Sequence, residues 1–102
     1  MKVHSHTDNN KESVLFDSSN VLKITYSEKT MDIIYGKGLI YRYTNVPRYV
    51  FLEITNAPSQ GIIVNRLLKS QGRGKELYQE AKIGVLSPSE LTELKKEIQN
   101  VK

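Results

Sequence analysis

The stretch that decides the fold runs from residue 21 to residue 44 and reads VLKITYSEKTMDIIYGKGLIYRYT. Within it, three segments alternate apolar and polar residues with the period of two that is typical of a half-buried β-strand. These segments are Val21–Tyr26, Met31–Tyr35 and Leu39–Thr44. The polar turn Ser27–Thr30 and the glycine turn Gly36–Gly38 are both short enough to connect neighbouring strands. The stretch therefore predicts a three-stranded antiparallel β-meander.

After the meander the apolar residues follow a helical period. Thr44 or Asn45 is expected to cap a first helix, with Pro47 in its first turn. Residues 56–59 end that helix and start a second one, for which Gly72 is a natural terminator. We expect both helices to pack on one face of the sheet, which makes the predicted fold α+β.

The rings of Tyr41 and Tyr43 are predicted to lie in the core under these helices. They share one strand face with Leu39, and Ile24 and Ile33 extend the same face on the neighbouring strands. The other interpretation of the tyrosines is an exposed platform on which bases stack. The aliphatic neighbours favour the buried arrangement.

Two further segments flank this unit. Residues 1–16 contain few apolar side chains and predict a flexible N-terminal tail, while residues 17–72 form the predicted domain. Residues 73–102 predict a helical extension, in which residues 76–82 form a helical turn and Ile83–Leu86 an apolar link. The expected organisation is thus a tail, one domain and a helical C-terminal extension.

The last helix has the clearest start signal in the chain. Ser87-Pro88-Ser89-Glu90 combines a cap, a first-turn proline and a glutamate three residues after the cap. A narrow apolar seam follows, formed by Leu91, Leu94, Ile98 and Val101. The seam either docks on the domain or pairs with another copy or a partner helix.

Composition excludes several classes of protein. The chain has 102 residues, which allows one domain, and it has no cysteine, which excludes disulfides, thiolate metal clusters and a cysteine nucleophile. The longest apolar run, Tyr49–Leu52, is too short to span a bilayer, and residues 1–10 lack the apolar core of a secretory signal. We therefore expect a soluble, cytoplasmic protein without a membrane partner.

Several motifs resemble the KTSC domain family over about residues 18–70. They are Ser18–Val21, Tyr35–Tyr43 with a central Tyr-x-Tyr, Val46-Pro47, and Ala57–Gly61 with Asn65 four residues on. The family occurs at the C-terminus of some lysyl-tRNA synthetases and alone in small bacterial and phage proteins. The resemblance implies no established reaction, and it suggests RNA as a partner. The residues that carry it as family-motif positions are Tyr41, Tyr43, Pro47, Ser59, Gly61 and Asn65.

Catalytic patterns are weak throughout the chain. The only histidines, His4 and His6, lie in the predicted tail, so an activated serine has no placed base. The carboxylate pairs Glu76/Glu80 and Glu93/Glu97 fit solvated helix faces better than an acid–base pair. Residues 71–75 lack the spacing of a phosphate loop. The sequence predicts a protein that is not an enzyme and that has neither a metal nor a cofactor.

Binding of an anion is better supported. The formal charge is +4, and Arg66, Lys69 and Arg73 lie three and four residues apart, on one face of the predicted second helix. Lys75 follows them, Arg42 lies on the outer face of the sheet, and Arg48 starts the first helix. The 66–75 cluster is either a solvated helix end or a phosphate-contact surface.

The outer face of the sheet suggests self-association. Ile34 and Ile40 lie there beside Arg42, on a face that the two predicted helices leave uncovered. A homo-oligomer is therefore expected to form through Ile34 and Ile40 or through the C-terminal helix at Leu91, Leu94 and Ile98.

The leading functional hypothesis is a non-enzymatic binding module for a phosphate-bearing ligand, with RNA as the partner that the family resemblance suggests. The alternative is a small bacterial or phage oligomer that sequesters a nucleotide signalling molecule in a pocket between subunits. A protein-interaction module is the second alternative.

Overall fold

One antiparallel sheet organises the part of the chain that the structure describes, and each of its six strands pairs with its neighbours along the chain. The computed structural model describes residues 2–69 and 78–102. The strands are β1 (Lys2–Asp8), β2 (Lys11–Phe16), β3 (Val21–Ser27), β4 (Thr30–Tyr35), β5 (Leu39–Tyr43) and β6 (Glu80–Val85). The helices are α1 (Arg48–Asn56), α2 (Gln60–Val64), which continues as a π-helical turn over Asn65–Lys69, and α3 (Pro88–Val101). The fold is α+β as predicted, but the predicted three-stranded meander is only the centre of a larger sheet.

The N-terminal segment is part of the sheet, so the prediction of a flexible tail over residues 1–16 is wrong. Strands β1 and β2 form a hairpin, and β2 pairs with β3. The turn residues Asn9 and Asn10 both have positive φ, 50° and 67°, which matches the right-handed twist of a tight hairpin. β1 is an edge strand whose side chains are almost all exposed, and such a strand is held by backbone hydrogen bonds rather than by apolar residues.

The segment before α3 also differs from the prediction of a helical turn over residues 76–82 and an apolar link over Ile83–Leu86. Residues 80–85 form β6, which pairs antiparallel with β5. Backbone hydrogen bonds from Thr44 N to Gln79 O (3.1 Å) and from Leu86 N to Gly38 O (2.9 Å) extend the pairing beyond the strand at both ends. This pairing joins residues about forty apart in sequence, which a local period cannot reveal.

Helices α1 and α2 cover one face of the sheet, here called the α1–α2 face, as predicted. The Tyr26 ring stacks on Phe51 with centroids 4.8 Å apart, and its hydroxyl donates to Val46 O at 2.7 Å. α1 begins after Pro47, which takes the N-cap position instead of the predicted Thr44 or Asn45. The largest fully buried side chains of this core are Tyr43, Phe16, Phe51, Ile24, Met31, Ile33, Ile54 and Leu68.

Helix α3 packs on the opposite face of the sheet, here called the α3 face. Ser87 and Glu90 form the predicted capping box: Glu90 N donates to Ser87 Oγ at 3.2 Å, and Ser87 N donates to Glu90 Oε1 at 2.8 Å. Leu94 and Ile98 are buried in a second apolar cluster with Leu15 and Leu22. The seam thus docks within its own chain, which is the first of the two arrangements that its spacing allowed. In the ranges that the structure describes, no helix is long and apolar enough to cross a membrane.

Candidate functional site

A cleft opens on the α1–α2 side of the sheet, where the start of β3 and the end of β4 meet α2. We call it the polar cleft, and its volume is about 270 Å³. The side-chain amides of Asn20 and Asn65 can both donate and accept hydrogen bonds, and both residues are exposed. The lining residues are Asn20, Val21, Tyr35, Gly61, Ile62, Val64 and Asn65.

Two glycines fix the walls of the polar cleft. A Cβ on Gly36 would lie 1.9 Å from the backbone oxygen of Ser19, so the end of β4 can approach the start of β3 only without a side chain. That approach lets Gly36 N donate to Asn20 O at 2.9 Å. A Cβ on Gly61 would lie 2.6 Å from Nδ2 of Asn20, so the Asn20 amide packs directly against the helix backbone. Gly61 therefore allows close packing of Asn20 against α2.

Local hydrogen bonds hold the segments that carry the cleft. Ser18 Oγ accepts from Asn20 N at 3.1 Å and fixes the turn into β3. Ser59 caps α2 by accepting from Ile62 N. The buried side chain of Gln60 donates from Nε2 to Ala57 O at 2.8 Å and so ties α2 to the end of α1. The helix then widens into its π-helical turn at Asn65, and such turns are frequent at functional sites.

A chain of hydroxyl groups runs from the polar cleft towards β6. The hydroxyl oxygens of Tyr35 and Tyr43 lie 2.7 Å apart, and Tyr43 donates to Oε2 of Glu80 at 2.8 Å. Because the single hydroxyl proton of Tyr43 is used on Glu80, Tyr35 must be the donor to Tyr43. Glu80 therefore sets the direction of both hydrogen bonds.

Burial keeps these two hydroxyls protonated. It raises the pKa of Tyr35 to about 12; the hydrogen bond with Tyr43 opposes this rise, and the charges of Glu80 and of the Tyr41 phenol add to it. Burial is also the largest cause of the strongly raised pKa of Tyr43, followed by its hydrogen bonds to Tyr35 and Glu80. Near neutral pH both groups act as hydrogen-bonding phenols that hold β4, β5 and β6 together.

Arg42 and Arg48, two of the predicted ligand-binding cations, lie on opposite faces of the sheet. Arg42 lies on the α3 face and makes two hydrogen bonds to the carboxylate of Asp32 across the β4–β5 pair, at 2.8 and 3.0 Å. This pairing raises the pKa of Arg42. Arg48 starts α1 on the other side of the sheet and pairs with both carboxylate oxygens of Glu12. Each of these guanidinium groups is therefore already matched by a carboxylate of the same chain.

Arg66 is the predicted cation that directly follows a lining residue of the polar cleft, Asn65, within the described part of the chain. It is exposed and belongs to the π-helical turn. The side chain of Lys69, and Arg73 and Lys75 as a whole, lie outside the described residues. Of the predicted 66–75 cluster, Arg66 is thus the cation whose side chain the structure describes.

Most of the family-motif positions shape or support the polar cleft. Gly61 and Asn65 line it, and Ser59 caps the helix that carries them. The ring of Tyr41 meets that of Tyr35 edge to face, with centroids 5.8 Å apart. Pro47 lies outside the cleft, at the N-cap of α1. Tyr43 is fully buried in the core as predicted, whereas Tyr41 is only partly buried and packs against the margin of that core.

Sequence reasoning missed two residues of this region as site residues. Asn20 was visible only as part of the Ser-Ser-Asn-Val motif, and its contact with Gly61 depends on tertiary structure. Glu80 was expected on a solvated helix face, but it lies in β6, and the pairing of β6 with β5 brings it to the hydroxyl of Tyr43. Among the described residues, no three His, Cys, Asp or Glu side chains are grouped so that they could hold a metal ion.

Comparison with known proteins confirms the predicted resemblance. The family model for the KTSC domain matches residues 17–71. The crystal structure of the KTSC domain protein YPO2434 from Yersinia pestis is similar, with a TM-score of 0.61 and 22% sequence identity over 72% of this chain and 99% of that chain. At that identity the likeness concerns the fold. No curated protein matches the chain.

Proposed function

The chain belongs to the KTSC domain family, and we propose that it is a non-enzymatic binding module for a phosphate-bearing ligand, namely single-stranded RNA. The observation that carries the proposal is the polar cleft, which Asn20 and Asn65 line with their amides, and Asn65 is directly followed in the chain by the exposed Arg66. Proteins recognise RNA most often through unpaired bases, which are read by hydrogen bonds to their edges. The cleft offers such groups on a rigid frame.

The base-contacting part of the proposed site is uncharged. An amide has a donor and an acceptor side by side, which matches the paired donors and acceptors on the edge of a base. Ile62 is 63% exposed at the rim of the cleft and offers an apolar surface to the face of a base. We therefore assign recognition of a base to Asn20 and Asn65, with Ile62 as the apolar contact.

The phosphate-contacting part of the proposed site begins at Arg66. A guanidinium group binds a phosphate through two parallel hydrogen bonds, which a lysine cannot do. Lys69, Arg73 and Lys75 continue the positive charge along the sequence from this point. We propose that the RNA backbone follows this segment while one base enters the polar cleft.

The groups that line the polar cleft are suited to binding a ligand and not to catalysis. Amides do not titrate near neutral pH, and the raised pKa of Tyr35 keeps its hydroxyl protonated. Such groups bind and orient a ligand, whereas general acid–base catalysis needs a group that exchanges protons near the working pH. The tyrosines are accordingly assigned a supporting role.

Fluorescence anisotropy with a labelled single-stranded RNA tests the proposal. Affinity for the RNA should fall steeply as the salt concentration rises. Arg66→Ala should reduce the magnitude of the slope of log affinity against log salt concentration by about one, as expected for the loss of one phosphate contact. Asn65→Ala should weaken binding and leave the salt slope unchanged. The matched control is Lys96→Ala, which removes one positive charge from α3 and should change neither quantity.

Competition with free nucleotides separates the proposal from the alternative of nucleotide sequestration. A mononucleotide that displaces the RNA at comparable concentration would favour the alternative. Absence of RNA binding, or binding that does not respond to salt, would refute the proposed function.

A further inference from the structure

A long groove lies on the α3 face, between α3 and the part of the sheet that α3 leaves uncovered. Its volume is about 690 Å³. Its floor is apolar and is formed by Ile34, Leu86 and Leu94. Val101 adds an apolar side chain at the C-terminal end of α3. Ile34 and Leu86 are only partly buried, so the groove exposes the margin of the second apolar cluster.

The two walls of the groove carry opposite charge. The sheet wall carries Lys23, which lies next to Ile34 in the β3–β4 register. The helix wall carries Glu90, Glu93 and Glu97 together with the single cation Lys96. The ion pairs seen among the described residues involve none of these five side chains. The groove therefore has a positive wall and a predominantly negative wall that do not neutralise each other within the chain.

A polar row borders the apolar strip on the sheet side. Asp32 and Arg42 pair there, and the hydroxyls of Ser13 and Thr25 lie 3.4 Å apart. Along each strand, these residues lie two positions away from the row that contains Lys23 and Ile34, so they share the same face of the sheet. An apolar centre with a polar, internally satisfied rim is the usual anatomy of a protein–protein interface.

We propose that this groove is the interface of a two-fold symmetric dimer, whose occupant is a second copy of the same chain. In such an interface each surface meets itself and must be self-complementary. A two-fold axis parallel to the groove exchanges its two walls. Lys23 of each copy then faces Glu93 and Glu97 of the partner subunit, while the two apolar floors meet along the axis. The charge pattern selects this occupant, because the surface contains its own complement.

Sedimentation equilibrium of the purified full chain tests the dimer. The wild-type chain should be dimeric, and Lys23→Glu should raise the dissociation constant at least about tenfold, because like charges then face each other across the interface. Glu93→Lys with Glu97→Lys should weaken the dimer similarly. The variant that combines all three changes should restore it, since the walls have only exchanged sign.

Lys95→Glu is the matched control, because it reverses a charge on α3 outside the groove and should leave the dimer intact. Far-ultraviolet circular dichroism of each variant confirms that the monomer is folded. A wild-type chain that stays monomeric would overturn the proposal. A dimer that tolerates the reversals at positions 23, 93 and 97 would overturn it equally, because the copies would then meet elsewhere.

Discussion

Replacing Gly36 with alanine is expected to destabilise the protein strongly, because a Cβ at this position would lie 1.9 Å from the backbone oxygen of Ser19. The neighbouring atom is part of the main chain and cannot rotate away, so β4 must move from the start of β3. Such overpacking typically costs about 1–3 kcal/mol. The movement also breaks the hydrogen bond from Gly36 N to Asn20 O, for about 0.5–1.5 kcal/mol more.

We therefore expect Gly36→Ala to lower the free energy of unfolding by about 1.5–4.5 kcal/mol. Urea denaturation monitored by circular dichroism measures this difference. The dependence of the unfolding free energy on urea concentration should be the same for the variant and the wild type. The matched control is Gly84→Ala in β6, where the added Cβ would meet only Ile40 Cδ1, at an ordinary 3.8 Å. That substitution should be neutral or slightly stabilising, since glycine weakens a strand interior.

The reasoning would be refuted if Gly36→Ala were as stable as Gly84→Ala. It would also fail if Gly36→Ala lost stability but left RNA affinity unchanged in the folded protein, because the same approach of β3 and β4 positions Asn20 in the polar cleft.

Two further predictions concern the hydroxyl chain and the N-terminal hairpin. The raised pKa of Tyr35 contributes stability that is complete below the ordinary tyrosine pKa of 10 and is lost as the pH rises to about 12. The free energy of unfolding should therefore fall over that range, and Tyr35→Phe should flatten the fall; an unchanged profile would contradict the assignment. Phe16→Ala should cost about 3–5 kcal/mol in urea denaturation, because the ring is fully buried. A flexible tail would instead predict no effect of that substitution.

The elements that the sequence predicted well are those whose signal is local. β3, β4 and β5 combine a period of two with short turns, and α3 carries its capping box within four consecutive residues. β1 has almost no buried side chains, so its only sequence signal is the Asn9-Asn10 turn. β6 is a strand because it pairs with β5, which is distant in sequence, so no local pattern could predict it.

The same distinction applies to the candidate site. Gly61 and Asn65 were found through a motif that lies on one helix, and both line the polar cleft. Arg42 and Arg48 were expected to contact a ligand because charge alone does not reveal a carboxylate partner. Asp32 is brought to Arg42 by the register of β4 and β5. Glu12 is brought to Arg48 by the β1–β2 hairpin, which the low content of apolar residues made look like a flexible tail.

The strand order has a consequence for how the chain assembles. β1 to β5 pair strictly with their sequence neighbours through short connections, so each added strand needs little loop closure and can form early. β6 pairs with β5 only after a long connection, and it brings Glu80 to the hydroxyl of Tyr43. We expect this strand to join last, so that during synthesis the buried hydroxyl of Tyr43 gains its carboxylate partner only when most of the chain has emerged.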